Sequence, residues 1–237
     1  MKRREFVGVC AGTGVAAALP DLLSRAWAQG AATPRFYSRA KLIDPRGDPI
    51  KSKDLPIGRN LVFQYPYAGT PCFLLHLGKP TRTVAKLTTA DHRTYEWPGG
   101  TGADQTVVAY SAICAHRLTY PTRDISFISY RAERTPASRY TQVIHCCSEH
   151  SEYDPADGGR VLDGPAPQPL TAILIDYDRA RDELYAVGTV GAEMYDEFFA
   201  KYEFRLKLEY GGHAKDPVTG TCVVNELERY CRQQVKC

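Results

Sequence analysis

The chain has 237 residues, 30 Lys/Arg against 27 Asp/Glu, and a formal net charge of +3 at pH 7. That balance gives no electrostatic case for nucleic acid, which calls for a basic stripe. Past the N-terminal leader, no apolar run reaches the ~20 residues needed to cross a bilayer as a helix.

The first thirty residues read as an export signal. Lys2-Arg3-Arg4 is a basic start, Phe6 to Leu19 is a modest apolar stretch, and Ala26-Trp27-Ala28 is a small-x-small cleavage site. Arg3-Arg4-Glu5-Phe6-Val7 resembles the twin-arginine consensus, a route for proteins folded around a cofactor before export. Residues 1–28 are therefore expected to be removed and the remainder to reside in the periplasm. The leader holds four of the thirty Lys/Arg and two of the twenty-seven Asp/Glu, which leaves the mature chain close to neutral.

Residues 29–60 are polar and punctuated by proline, and are expected to form a loose N-terminal lead-in. From Leu61 short apolar runs alternate with turn residues: LVFQYPY, PCFLLHLG, TVVAYSAIC, ISFISY, YTQVIHCC, LTAILIDYD and ELYAVGTVG. Their β-branched and aromatic enrichment predicts strands of an antiparallel sandwich or barrel over 61–191, with RARD as a hairpin turn between the last two. EMYDEFFAKYEFRLKL carries helical charge pairing and predicts a short helix within a C-terminal extension, 192–237. The fold class is all-β with that appendage.

The chemistry sits at two strand ends. TVVAYSAIC leads into Cys114-Ala115-His116, and YTQVIHCC leads into Cys147-Ser148-Glu149-His150. Each loop thus offers one thiol and one imidazole, and a proline-rich stretch containing Gly164-Pro165-Ala166-Pro167 follows the second. A mononuclear zinc site could use the same Cys₂His₂ set, but structural zinc knuckles usually keep each residue type together. One Cys and one His from each of two loops is the donor set of a Rieske [2Fe–2S] centre. There two thiolates hold one iron and two imidazoles the other, which lowers the total negative charge and raises the potential.

On these motifs the chain resembles a Rieske iron–sulfur protein over roughly residues 61–191. The resemblance implies a β-sandwich or barrel with a cluster-binding subdomain of two loops and one [2Fe–2S] cluster held by Cys114, His116, Cys147 and His150. Only Cys147 stands three residues before a His, and neighbouring strand residues face opposite ways. Cys146 is therefore expected to be a bystander, so that Cys146→Ser keeps the cluster and Cys147→Ser loses it. His145 is expected to be structural, and His76, His92 and His213 have no partner motif.

In the respiratory members of the family a disulfide braces the two loops, and its positions here correspond to Thr119 and Glu149. A Ser and a Tyr that donate hydrogen bonds to the cluster fall at Glu152 and Asp154, with Ser151 and Tyr153 each one place out of register. The resemblance therefore implies no bracing disulfide and a lowered potential. Cys72, Cys146, Cys222, Cys231 and Cys237 are left over, with Cys222 and Cys231 the candidate pair for a bridge in an oxidising compartment.

Three features resemble the small subunit of arsenite oxidase: the twin-arginine leader, the Pro-Cys segment YPYAGTPCFLLHLGK, and WPGGTGADQTVVAYSAICAH before the first loop. That likeness implies a non-catalytic electron-transfer subunit docked on a large molybdopterin subunit, with a periplasmic cytochrome c or cupredoxin as acceptor. The alternative is the Rieske subunit of a cytochrome bc-type quinol-oxidising complex, anchored by its N-terminal segment. A Rieske oxygenase would need a 2-His-1-carboxylate iron site and a longer catalytic domain.

Overall fold

The computed structural model describes residues 31–237, so the expected leader, 1–28, lies outside the described residues. The strands in chain order are β1 (Arg35–Ile43), β2 (Leu61–Gln64), β3 (Pro71–His76), β4 (Ala85–Thr88), β5 (Thr94–Trp97), β6 (Val107–Ser111), β7 (Ile125–Ser126) and β8 (Ile128–Arg131). They continue with β9 (Val143–Cys146), β10 (Ser151–Asp154), β11 (Arg160–Asp163), β12 (Ala172–Asp178), β13 (Glu183–Val190), β14 (Gly220–Val223), β15 (Asn225–Glu226) and β16 (Gln233–Gln234). Helices cover Tyr195–Lys201, Glu203–Tyr210 and Leu227–Tyr230. No helix among the described residues is long and apolar enough to cross a membrane.

The main sheet has eight strands in the order β14-β1-β13-β12-β6-β3-β2-β15. Its central strands read as continuous apolar runs because both faces are covered. β3 and β6 contribute Cys72, Phe73, Leu74, Leu75, Val108 and Tyr110, none more than 3% exposed, to two clusters on opposite faces. The all-β expectation is met, and each of the seven apolar runs contributes a strand. The RARD turn joins β12 to β13, with Asp182 at φ 51° accepting hydrogen bonds from Ser52.

Both flanking segments are woven into this sheet. Residues 29–60 contain β1, which pairs antiparallel with β13 and parallel with β14. Only Ala40 and Leu42 of its nine residues are buried, so it carries no apolar run for a periodicity search to find. In the C-terminal stretch, β15 pairs with β2 and β16 pairs parallel with β7. The expected single helix is two, broken at Tyr202, and the second ends on Gly211 in the left-handed conformation at φ 60°.

A second sheet, β11-β10-β9-β8, carries the chemistry. The four residues 147–150 form the connection between β9 and β10, so that Cys146 pairs with Ser151 across the ladder. The other loop leaves β6 of the main sheet. The site therefore lies where the two sheets meet, with one loop from each.

Candidate metal centre

Cys114 begins a tight turn. Its N–H donates to Thr119 O at 2.8 Å, and Leu118, at φ 61°, donates its N–H back to Cys114 O at 2.9 Å. Aromatic packing clamps this loop from outside: Tyr120 meets Phe198 at 4.8 Å and Tyr202 at 4.9 Å between ring centroids, both edge-on. Such pairs contribute about 0.5–1.5 kcal/mol each beyond their buried area. Lys201 Nζ also donates to Arg117 O at 2.6 Å.

Cys114 Sγ is buried and faces Cys146, whose side chain hydrogen-bonds to it. That bond, helped by Tyr153 and by the backbone N–H groups of His116 and Arg117, pulls the Cys114 thiol below its ordinary pKa. Cys146, as the donor partner, is pushed up by the same bond and by burial, while the N–H groups of Ser148 and Glu149 point at its sulfur. The two cysteines are thus equivalent in local design. Each sulfur receives the N–H groups two and three residues ahead, an arrangement that favours thiolate.

Tyr153 completes the pair. Its hydroxyl accepts from Ala115 N at 3.1 Å and lies 3.2 Å from Cys114 Sγ, so its own proton is directed at the sulfur. Two buried polar atoms beside this pair have no partner: Ser151 Oγ and His116 Nδ1. An orphaned hydroxyl and an orphaned imidazole nitrogen next to two aligned thiols fit a group that supplies acceptors and a metal.

Cys147 is elsewhere. It is disulfide-bonded to Cys237, 90 residues away, with 5.7 Å between Cα atoms. A disulfide sulfur has no thiolate to offer, so Cys147, expected as an iron ligand, is engaged elsewhere in this structure, while Cys146, expected as a bystander, faces Cys114. The reasoning from strand alternation holds, since Cys146 and Cys147 do face opposite ways, but the member facing Cys114 is Cys146. Cys222 and Cys231, the candidate bridge, are both buried free thiols, as are Cys72, Cys114 and Cys146.

His150 also turns away. It sits at φ 56° and is exposed, with its ring centroid 5.8 Å from that of His145 and its nitrogen within 4.8 Å of the Cys237 sulfur. His116, by contrast, stays on the first loop next to Cys114 and is half-buried. Counted from Cys146, the residue three places on is Glu149, which is half-buried and lies 3.6 Å from Arg117 Nε.

The register was readable in the sequence. The family's Ser and Tyr stand five and seven residues after the second-loop cysteine, and Ser151 and Tyr153 stand five and seven after Cys146. Both seemed displaced by one place in the same direction, which is the mark of a shifted origin. Ser151 and Tyr153 thus keep to Cys146 the spacing that the resemblance gives to the second-loop cysteine. Gly164, at φ 87°, fixes the approach of the proline stretch. A Cβ there would meet the backbone of His150 and lie 2.6 Å from Ser151 Cα.

No family model matches the chain. It is 28% identical over 192 residues, covering 81% of this chain and 80% of the relative, to the iodate reductase subunit IdrB of Pseudomonas sp. (strain SCT). The crystal structure of the soluble domain of the Rieske protein II (soxF) from Sulfolobus acidocaldarius aligns with a TM-score of 0.45 and 27% identity, covering 65% of this chain and 78% of that one. The chain resembles a Rieske iron–sulfur protein. The Cys-Cys doublet divides between two environments, Cys146 facing Cys114 of the first loop and Cys147 bonded to Cys237.

Proposed function

We propose that the chain is the electron-transfer subunit of an oxidoreductase and carries one Rieske-type [2Fe–2S] cluster. The observation that carries this reading is the buried Cys114/Cys146 pair, with Tyr153 directed at it and Ser151 Oγ and His116 Nδ1 left unpaired. When bound, the cluster supplies a one-electron couple at a potential set by its ligands and hydrogen bonds. Cys114 and Cys146 would hold one iron. His116 would hold the other, and Glu149, three residues after Cys146, would take the fourth position in place of the expected His150.

Each residue has a definable part. The four backbone N–H groups aimed at the two sulfurs, together with the Tyr153 hydroxyl, disperse negative charge on the thiolates and favour the reduced state. Ser151 Oγ has a free proton for a sulfide acceptor. A carboxylate from Glu149 adds one negative charge where the family has a neutral imidazole, which favours the oxidised state. Arg117, beside Glu149, offsets part of that charge.

The likeness to an iodate reductase subunit and to the small subunit of arsenite oxidase supports a large molybdopterin-containing partner. The twin-arginine-like leader supports export to the periplasm, with a cytochrome c or cupredoxin exchanging electrons at the His116 face. The test is to purify the exported protein with whatever remains bound and measure iron, molybdenum and the EPR spectrum after reduction. An axial or rhombic [2Fe–2S] signal with a molybdenum-containing partner supports the reading; an iron-free chain overturns it. In the same assay, loss of the signal in Glu149→Ala with retention in His150→Ala supports Glu149 as the fourth donor, and the reverse restores His150.

A further inference from the structure

Four side chains remain around the second loop after Cys114, Cys146, His116 and Glu149 are set aside: His145, Cys147, His150 and Cys237. In the stretch His145-Cys146-Cys147 the outer two residues face away from the Cys114 site, as strand alternation requires. Cys147 is joined to Cys237, and the ligand atoms of His145, His150 and Cys237 all lie within 4.8 Å of one another. We propose that these four residues form a second, redox-gated metal site, closed as a disulfide and able to take a soft divalent cation of the zinc type once Cys147 and Cys237 are reduced.

The geometry matches the chemistry. Zinc bonds of about 2.3 Å to sulfur and about 2.05 Å to nitrogen place S and N about 3.6 Å apart at a tetrahedral angle. Cys237 Sγ lies 3.7 Å from both ring nitrogens of His145. Two sulfurs on one zinc stand about 3.8 Å apart, a separation that the 5.7 Å between the Cα atoms of Cys147 and Cys237 accommodates by side-chain rotation.

His145 is 0% exposed, yet its polar contacts are long: Cys237 Sγ at 3.7 Å and Glu152 Oε1 at 3.8 Å from Nε2. A fully buried imidazole with no hydrogen-bond partner closer than these is available to a stronger one. Glu152, 3.8 Å from His145 Nε2, is itself buried and accepts a hydrogen bond from Ser138 Oγ at 2.9 Å. Charge also closes: a divalent cation with two thiolates and two neutral imidazoles is neutral, and Arg139 lies close enough to Glu152 to offset part of its charge.

The reaction balances simply. An external dithiol gives two electrons and two protons to the Cys147–Cys237 bond and becomes a cyclic disulfide. The two thiols formed then lose their protons to solvent as the cation binds. The oxidised form holds the C-terminus covalently, the metal-bound form would hold it by coordination, and only the reduced, metal-free form releases it.

The experiment uses the full chain with its iron in place. Zinc uptake is measured by competition with a chromophoric chelator, before and after reduction by a dithiol later removed, and iron content is measured in the same samples. The expected result is one zinc per chain taken up by the reduced protein and not by the oxidised one. Cys237→Ser should lose that uptake with iron unchanged, and His150→Ala should lose the uptake too. Reduced wild type taking up no more zinc than Cys237→Ser overturns the proposal. Uptake of equal size by the oxidised protein does the same.

Discussion

The two loops of the site are held by opposite means. The first is a self-contained turn, closed by Cys114–Thr119 and Leu118–Cys114 backbone bonds and covered by the aromatic side chains of Tyr120, Phe198 and Tyr202. The second is a four-residue connection between β9 and β10 with little packing of its own, and a covalent bond from Cys147 to Cys237 ties it down. The C-terminal residues serve both loops, a helix for one and a cysteine for the other. A segment that looked like an appendage is thus the clamp of the site.

That contrast can be broken in steps. The largest effect belongs to the doublet itself: Cys146→Ser should lose its iron entirely, while Cys147→Ser should keep it, as read by iron analysis and by EPR of the reduced protein. Next is the tether. Opening a 90-residue loop removes about 4–5 kcal/mol of stability in the chain-entropy picture. Urea unfolding of Cys237→Ser should show a loss of that order under oxidising conditions and none against reduced wild type.

On the first loop, Phe198→Ala removes a fully buried ring and should cost about 3–5 kcal/mol. Amide exchange should then rise at residues 114–120 and stay unchanged at 147–150, which separates the two clamps. The smallest change is Tyr153→Phe. It removes one hydrogen bond to a sulfur, worth about 1.5 kcal/mol for a charged acceptor, and should lower the midpoint potential by roughly 60 mV in voltammetry. No shift would mean that Tyr153 only packs.

Much of this was legible in the chain. The apolar runs from Leu61 to Gly191 correspond to strands because their period and their turn residues agree, and Cys114 and His116 stand at the end of β6 where TVVAYSAIC placed them. The register of the second loop was not legible from the histidine alone. His150 lies three residues after Cys147, and that spacing outweighed Ser151 and Tyr153, which point to Cys146. Side-chain direction at a strand end decides between the two, and it depends on the pairing of Cys146 with Ser151 and Ile128. The Cys147–Cys237 bond lay hidden for a different reason. Spacing along the sequence says nothing about two cysteines brought together by a strand as short as β16. β1 escaped notice because only Ala40 and Leu42 of its residues are buried, which leaves it without an apolar run.

The central claim is that the doublet is divided, Cys146 facing Cys114 and Cys147 bonded to Cys237. Site-resolved thiol mapping tests it most directly. The protein is denatured without reductant, iron is chelated, free thiols are alkylated, and the peptide carrying both cysteines is sequenced by mass spectrometry. The account predicts alkylation at Cys146 and a disulfide from Cys147 to the C-terminal peptide containing Cys237. Alkylation at Cys147, with Cys237 free or bonded to another cysteine, would contradict it.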